Sequence, residues 1–269
     1  MNFIRCLFLA LILGLPVAPA WAQISDINVA INKAGRQRML SQRMAKAYFQ
    51  IGQQIDVDRS RKVLDQSVAL FDRQLVELKN YAPAGETRDT YLKLEKAWLA
   101  YKDLLIGVAP STDQGRKVLA ASEEVLALAQ QGTVLFEKQS GTNAGRLVNV
   151  SGRQRMLSQR MAKFYQAQAW GVGDAQSAAN LDKARKEFAD AHQELSNAPA
   201  NTPGIREHLE LVRQQWFFLK MRWRRRAART SARRRRWRRP ASASWKRWSP
   251  SSRFTSASRS KQSEQTELA

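Results

Sequence analysis

The sequence predicts an all-α protein made by internal duplication: tandem up-down antiparallel helical bundles followed by a disordered basic C-terminal tail. Three observations carry this prediction. No stretch alternates apolar and polar residues as a half-buried strand would. Apolar residues recur at helical spacing between Pro- and Gly-rich breaks. Finally, Gly35–Lys46 (GRQRMLSQRMAK) returns unchanged as Gly152–Lys163, 117 positions on. The flanking sequence agrees only loosely: Phe71 matches Phe188, Leu78 matches Leu195, Asn80 matches Asn197, and Trp98 matches Trp216 after a one-residue shift. A unit that has drifted everywhere except in one arginine-rich stretch suggests a specific task done twice.

In chain order, residues 1–22 read as a secretory signal peptide. Arg5 precedes an apolar run from Cys6 to Val17, and Pro19-Ala20-Trp21-Ala22 ends on small residues at the positions a signal peptidase requires. Cleavage before Gln23 implies a periplasmic protein; the alternative is an uncleaved segment anchoring the chain to the inner membrane. Cys6 is the only cysteine, so the mature chain has no disulfide to stabilise it. Helices are expected at about 26–55, 58–81, 86–107, 113–139, 143–170, 174–196 and 204–219. Ser111 with Gln114 forms a capping box, and Thr202 before Pro203 supplies an N-cap with proline at the first helical position. Leu92, Leu94, Trp98, Tyr101 and Leu105 are spaced to line one side of the third helix. Short loops between helices of this length favour antiparallel neighbours. The domains are therefore residues 23–141, a first repeat, and 142–219, a second and incomplete one.

The net charge of +22 is concentrated at one end: 17 of the 45 Lys and Arg fall in residues 220–269, against Glu264 and Glu267 alone. Arginine runs interleaved with Trp223, Trp237, Trp245 and Trp248 look like a nucleic-acid or membrane-surface tail. We read them differently. The helical pattern collapses just after Trp216-Phe217-Phe218. If Ala241 to Trp248 is written GCG AGC GCA TCC TGG AAG CGA TGG, the frame starting at each third base reads Glu-Arg-Ile-Leu-Glu-Ala-Met, close to Glu123–Leu128 of the first repeat. A base lost near Leu219-Lys220 would put the tail out of frame. Whatever its origin, the tail as written cannot bury a core, and disorder is expected. No nucleic-acid partner is expected of an exported chain.

On a helix the motif has two faces. Arg36, Leu40, Arg43 and Ala47 share one; Arg38 points to the other, among Ala34, Ser41, Gln42, Ala45 and Phe49. Small neighbours let a second helix approach, which would desolvate a guanidinium that cannot lose its proton. No acid lies between Asp26 and Asp56, nor between Glu137 and Asp174. The compensating charge must come from another helix or from a bound anion. The structural candidates are Asp65, Asp72, Asp182 and Asp190. Met39, Met44, Met156 and Met161 read as core, and His192 and His208 lie on different helices, so neither a metal site, a cofactor nor nucleophilic catalysis is indicated.

The motif Gly-x-x-Arg-Met-x-Ser-x-Arg resembles the periplasmic P box of nitrate/nitrite sensor histidine kinases. The wording Ala34 to Met44 is closer still to the N-terminal domain of type IV pili methyl-accepting chemotaxis transducers, the PilJ-type domain, and the resemblance covers residues 26 to about 219. In the nitrate sensors the ligand sits between symmetry-related first helices. That resemblance places ligand binding on Gly35 and Arg38 and on Gly152 and Arg155. Arg36, Ser41, Arg43, Arg153, Ser158 and Arg160 are secondary candidates, the arginines among them reading more simply as a solvated or ion-paired face. It implies a non-enzymatic sensory module for a small inorganic anion, nitrate or nitrite first. The implied partner is a membrane-bound sensor kinase or chemotaxis transducer, or a second copy of the chain in a homodimer. Two copies in one chain also allow a single pseudo-symmetric site. The competing reading is a structural or interaction module of the cell envelope or pilus system, without a small ligand.

Overall fold

Asp26 starts the first helix by accepting hydrogen bonds from the backbone N–H groups of Asn28 and Val29, at 2.7 and 3.0 Å. In this computed structural model, which describes residues 24–237 and side chains as far as Met221, the chain runs through seven helices. They are α1 (Ile27–Gly52), α2 (Val57–Tyr81), α3 (Glu86–Ile106), α4 (Thr112–Ser140), α5 (Asn143–Trp170), α6 (Ala175–Ser196) and α7 (Pro203–Trp237). No strand occurs among the described residues. The fold is all-α, as the sequence predicts. The signal-peptide reading of residues 1–22 lies outside the described residues, as does the tail from residue 238.

Most helix ends fall within a residue or two of their expected positions. α1 stops at Gly52 rather than near 55 because Gln54 and Asp56 take positive φ angles of 57° and 43°, which a helix cannot continue through. Only half of the capping box forms: Ser111 Oγ accepts from the Gln114 N–H, but the Gln114 amide turns away to the Leu104 carbonyl. Leu92 is exposed, and Tyr91, one residue earlier, takes the buried position in line with Leu94, Trp98 and Tyr101. α7 begins at Pro203 as expected and continues past 219 to Trp237.

Residues up to Thr202 form one unit, and residues from Pro203 another. Within the first unit the four helices of the first repeat pack up-down-up-down. Lys33 on α1 meets Glu77 on α2 while Gln37 meets Phe71; Lys79 on α2 meets Glu95 on α3 while Asp72 meets Trp98. Each pair of positions runs in opposite directions along the two helices. Phe71 and Trp98 stack with centroids 4.1 Å apart, and Tyr101 meets Trp98 edge-on.

The two repeats do not stand as separate bundles within this unit. α5 packs lengthwise on α1, and the two run parallel: Ile31 abuts Gly145, Gly35 abuts Gly152, and the Gln53 amide reaches Gln166 Oε1 at 3.0 Å. The glycines make room for a guanidinium: a Cβ added to Gly35 would meet Gly152 Cα at 3.5 Å, an ordinary contact, but would crowd Arg38 Nη2 at 3.2 Å, as one added to Gly152 also would. α1, covered by α2, α4 and α5, is buried on nearly every side.

Candidate functional site

The crossing of Gly35 and Gly152 brings the four principal candidates together. A Cβ on Gly152 would lie 3.2 Å from Arg38 Nη2 and 3.6 Å from Arg155 Nη2, so the two guanidinium groups flank the same glycine. Each reaches into the other repeat. Arg38 Nη2 donates to the Asn149 side-chain oxygen at 2.7 Å and to its carbonyl at 3.2 Å. Arg155 Nη2 donates to Asn32 Oδ1 at 2.7 Å. Asn32 and Asn149 are themselves separated by the repeat interval of 117 residues. The exchange is therefore reciprocal, and it is the local signature of a pseudo-twofold axis between α1 and α5.

The expected acidic partners are all engaged elsewhere or silent. Asp72 accepts from Trp98 Nε1 and Lys102 Nζ, and Asp182 and Asp190 pair with Arg185 and Lys186 on their own helix. Asp65 has no ion pair among the described residues. Arg38 is instead held by neutral amides: Asn149, and Gln130 Oε1 2.5 Å from Nη1. The nearest acid stands one step behind, since Asn149 Nδ2 donates to Glu137. Arg38 is fully buried and its Nε has no acceptor. Burial and, after it, the charges of Arg153 and Arg155 hold its pKa down at about 10, with Tyr91 and Glu137 pulling only partly the other way. This is a cation that the protein under-compensates.

The copies differ in their surroundings. Arg155 keeps a good part of its surface in solvent, but partial burial of its guanidinium, followed by the charge of Arg36, lowers its pKa too. Ser41 and Ser158 each donate to the carbonyl three residues back, Arg38 and Arg155 respectively, so both hydroxyls serve their own helix. Arg153 pairs with Glu187 at 3.4 Å. Arg160 pairs with Glu123 at 2.5 Å and lies over the Phe164 ring. Arg36 and Arg43, half-buried, have no carboxylate within ion-pair distance among the described residues.

Sequence reasoning missed the residues that hold the arginines. Asn32 and Asn149 could have been found, since the repeat resumes at that asparagine three residues ahead of each glycine. Glu123, Gln130 and Glu137 could have been noticed as a stripe: they are seven residues apart on α4 and all face the paired motif helices. Lys163, which closes the second copy of the motif, is fully buried and bonded to Ser122 Oγ and Glu123 Oε1. Burial outweighs Glu123 and holds its pKa down at about 8. Glu123 in turn is held below the usual carboxylate range: burial opposes ionisation, but Lys163 and Arg160 together prevail. A groove of about 370 Å³ opens beside this cluster, lined in part by Gln130, Arg153 and Arg160.

Comparison with known protein families agrees with this two-part construction. The family model for the N-terminal domain of type IV pili methyl-accepting chemotaxis transducers, PilJ, matches twice, at residues 20–132 and 138–240. The chain belongs to that family. Each match contains one copy of the arginine motif, at equivalent places. PilJ is a sensory transducer family rather than a catalytic one, which makes this chain a sensory or signal-transduction module of the chemotaxis-transducer type. No match was found among curated proteins or among solved structures. No described helix is long and apolar enough to cross a membrane.

Proposed function

We propose that this PilJ module is exported to the periplasm and receives a small oxyanion, nitrate or nitrite first, at the Gly35–Gly152 crossing. Arg155 is the accessible half of that receptor and Arg38 the buried half. One observation carries the reading: Arg38 and Arg155 flank the Gly35–Gly152 crossing, the charges of Arg36 and Arg153 act on them, and among the described residues no carboxylate pairs with Arg36, Arg38 or Arg155. An anion there would accept charge-assisted hydrogen bonds worth about 1.5–3 kcal/mol each and relieve the repulsion among them. Because it would bind between parallel helices, its occupancy would alter their packing, and a membrane-bound kinase or chemotaxis transducer could read that change. Calorimetry with nitrate, nitrite, sulfate and phosphate tests the proposal. We expect saturable heat with at least one anion, lost in Arg155→Ala, whose exposed side chain is not needed for folding. Absence of heat with all four would refute it.

A second reading has a specific observation in its favour. Arg38 already spends both terminal nitrogens on Gln130 and Asn149, as a purely structural clamp between helices would. Under that reading the module is an envelope or pilus interaction element with no small ligand, and no anion raises its melting temperature at constant ionic strength.

A further inference from the structure

Glu123 of α4 answers a need that the duplication creates twice but that the described residues meet once. On α5 it neutralises Arg160 and the buried Lys163, at 2.5 Å each. The same two motif positions on α1 are Arg43 and Lys46. Among the described residues no carboxylate lies within ion-pair distance of either. Lys46 is half-buried, and its pKa is lowered by burial and then by the charges of Arg43 and Arg59, with no acid offsetting them. The pseudo-twofold axis of the Arg38–Asn149 and Arg155–Asn32 exchange maps α4 onto a position beside α1 and α5 where the first unit has no helix. Three groups stand there in the order that α4 meets on its own side: Arg43 with Lys46, which lack an acid, then Arg155 and Asn32, which bond each other.

We infer that this face of α1 and α5 is a docking site for an amphipathic helix from another polypeptide, one that carries Glu, Gln and Glu at seven-residue intervals as α4 does. Charge complementarity selects the occupant. The face is cationic, whereas residues 238–269 of this chain hold seven Lys and Arg against two Glu and would be repelled. A second copy offers no free helix of this kind, because its own α4 is already bound across its own α1 and α5. The inference goes beyond the anion reading: Arg155 belongs to both, but Arg43 and Lys46, which carry this one, are not part of the proposed receptor.

The test uses a fluorescent synthetic peptide of α4 itself, residues Thr112–Ser140, titrated with the full-length protein and followed by anisotropy. Saturable binding of one peptide per chain is expected, weakened at least about tenfold in the Arg43→Ala/Lys46→Ala variant and, independently, by Glu123→Gln in the peptide. Arg160→Ala in the protein should leave it unchanged. Failure to bind overturns the inference. So does undiminished binding to the Arg43→Ala/Lys46→Ala variant, which would assign the signal to the basic tail. Sensitivity to Arg160→Ala instead of Arg43→Ala also overturns it, since the peptide would then be exchanging with the resident α4. A concentration-dependent dimer in sedimentation, blocked by the peptide, would make the occupant a second copy and refute the choice made here. Should the protein variant melt abnormally, the peptide variant against wild-type protein still decides. Calorimetry with nitrate on Lys46→Ala should match wild type, so the two proposals fail separately.

Discussion

Two copies of one twelve-residue sequence sit at the same crossing and live in different worlds. In the first copy Arg38 is sealed in, held by Gln130 and Asn149, while Arg43 and Lys46 lack an acid. In the second, Arg155 is exposed, while Arg160 and Lys163 are clamped by Glu123. The local sequence cannot be the cause, because it is identical. α4 is: it covers the Arg38 side of α1 and the Lys163 side of α5, and among the described residues it has no counterpart in the second repeat. A motif's chemistry is thus set less by its own residues than by which side of it a third helix happens to fill.

The sharpest break in the comparison should come from the arginines. Arg38→Ala leaves a cavity and strands the oxygens of Gln130 and Asn149, and should cost about 3–4 kcal/mol in urea unfolding. Arg38→Met keeps most of the volume and discards a desolvated charge, so it should cost clearly less. Equal losses for Ala and Met would mean that the charge itself, not the volume, holds the crossing together. The glycines should behave alike where the arginines do not, because they touch one another. Gly35→Leu and Gly152→Leu should each destabilise by about 1–3 kcal/mol through overpacking, and by similar amounts. A large cost at one and none at the other would contradict the close backbone approach.

Smaller effects sharpen the contrast further. Lys163 titrates near 8 when folded, below the 10.5 of an unperturbed lysine. Between those values the unfolded chain holds the proton more tightly, so this group's contribution to stability is least below pH 8 and rises as pH increases toward 10. The difference in unfolding free energy between wild type and Lys163→Met should follow that rise. Lys46→Met, at the half-exposed position, should show the same sign and a shallower slope. Arg155→Ala should be the mildest change of all, within about 1 kcal/mol, as expected for an exposed contact.

Much of the fold was legible because it rests on local signals. Helix breaks at the Pro- and Gly-rich stretches, and the Ser111 and Pro203 starts, are decided within a few residues of chain. Leu92 misled because two leucines two apart cannot share a helix face, and Tyr91 had the better register. The convergence of Arg38 and Arg155 could be anticipated from the repeat, since duplicated glycines invite duplicated helices to meet. The partners could not. Asp72 looked as available as any acid, yet the packing of α2 on α3 commits it to Trp98 and Lys102. The amides of Gln130 and Asn149 lie 92 and 111 residues from Arg38; the packing of α4 on α1 brings the first to it, and the parallel docking of α1 on α5 brings the second.

That docking is the claim on which the rest depends, and a double-mutant cycle between repeats measures it directly. Arg38→Met, Asn149→Ala and the combined variant should show a coupling above about 1 kcal/mol, because the two side chains bond each other in a buried site. Additivity to within about 0.3 kcal/mol, the behaviour of residues that do not touch, would contradict the account.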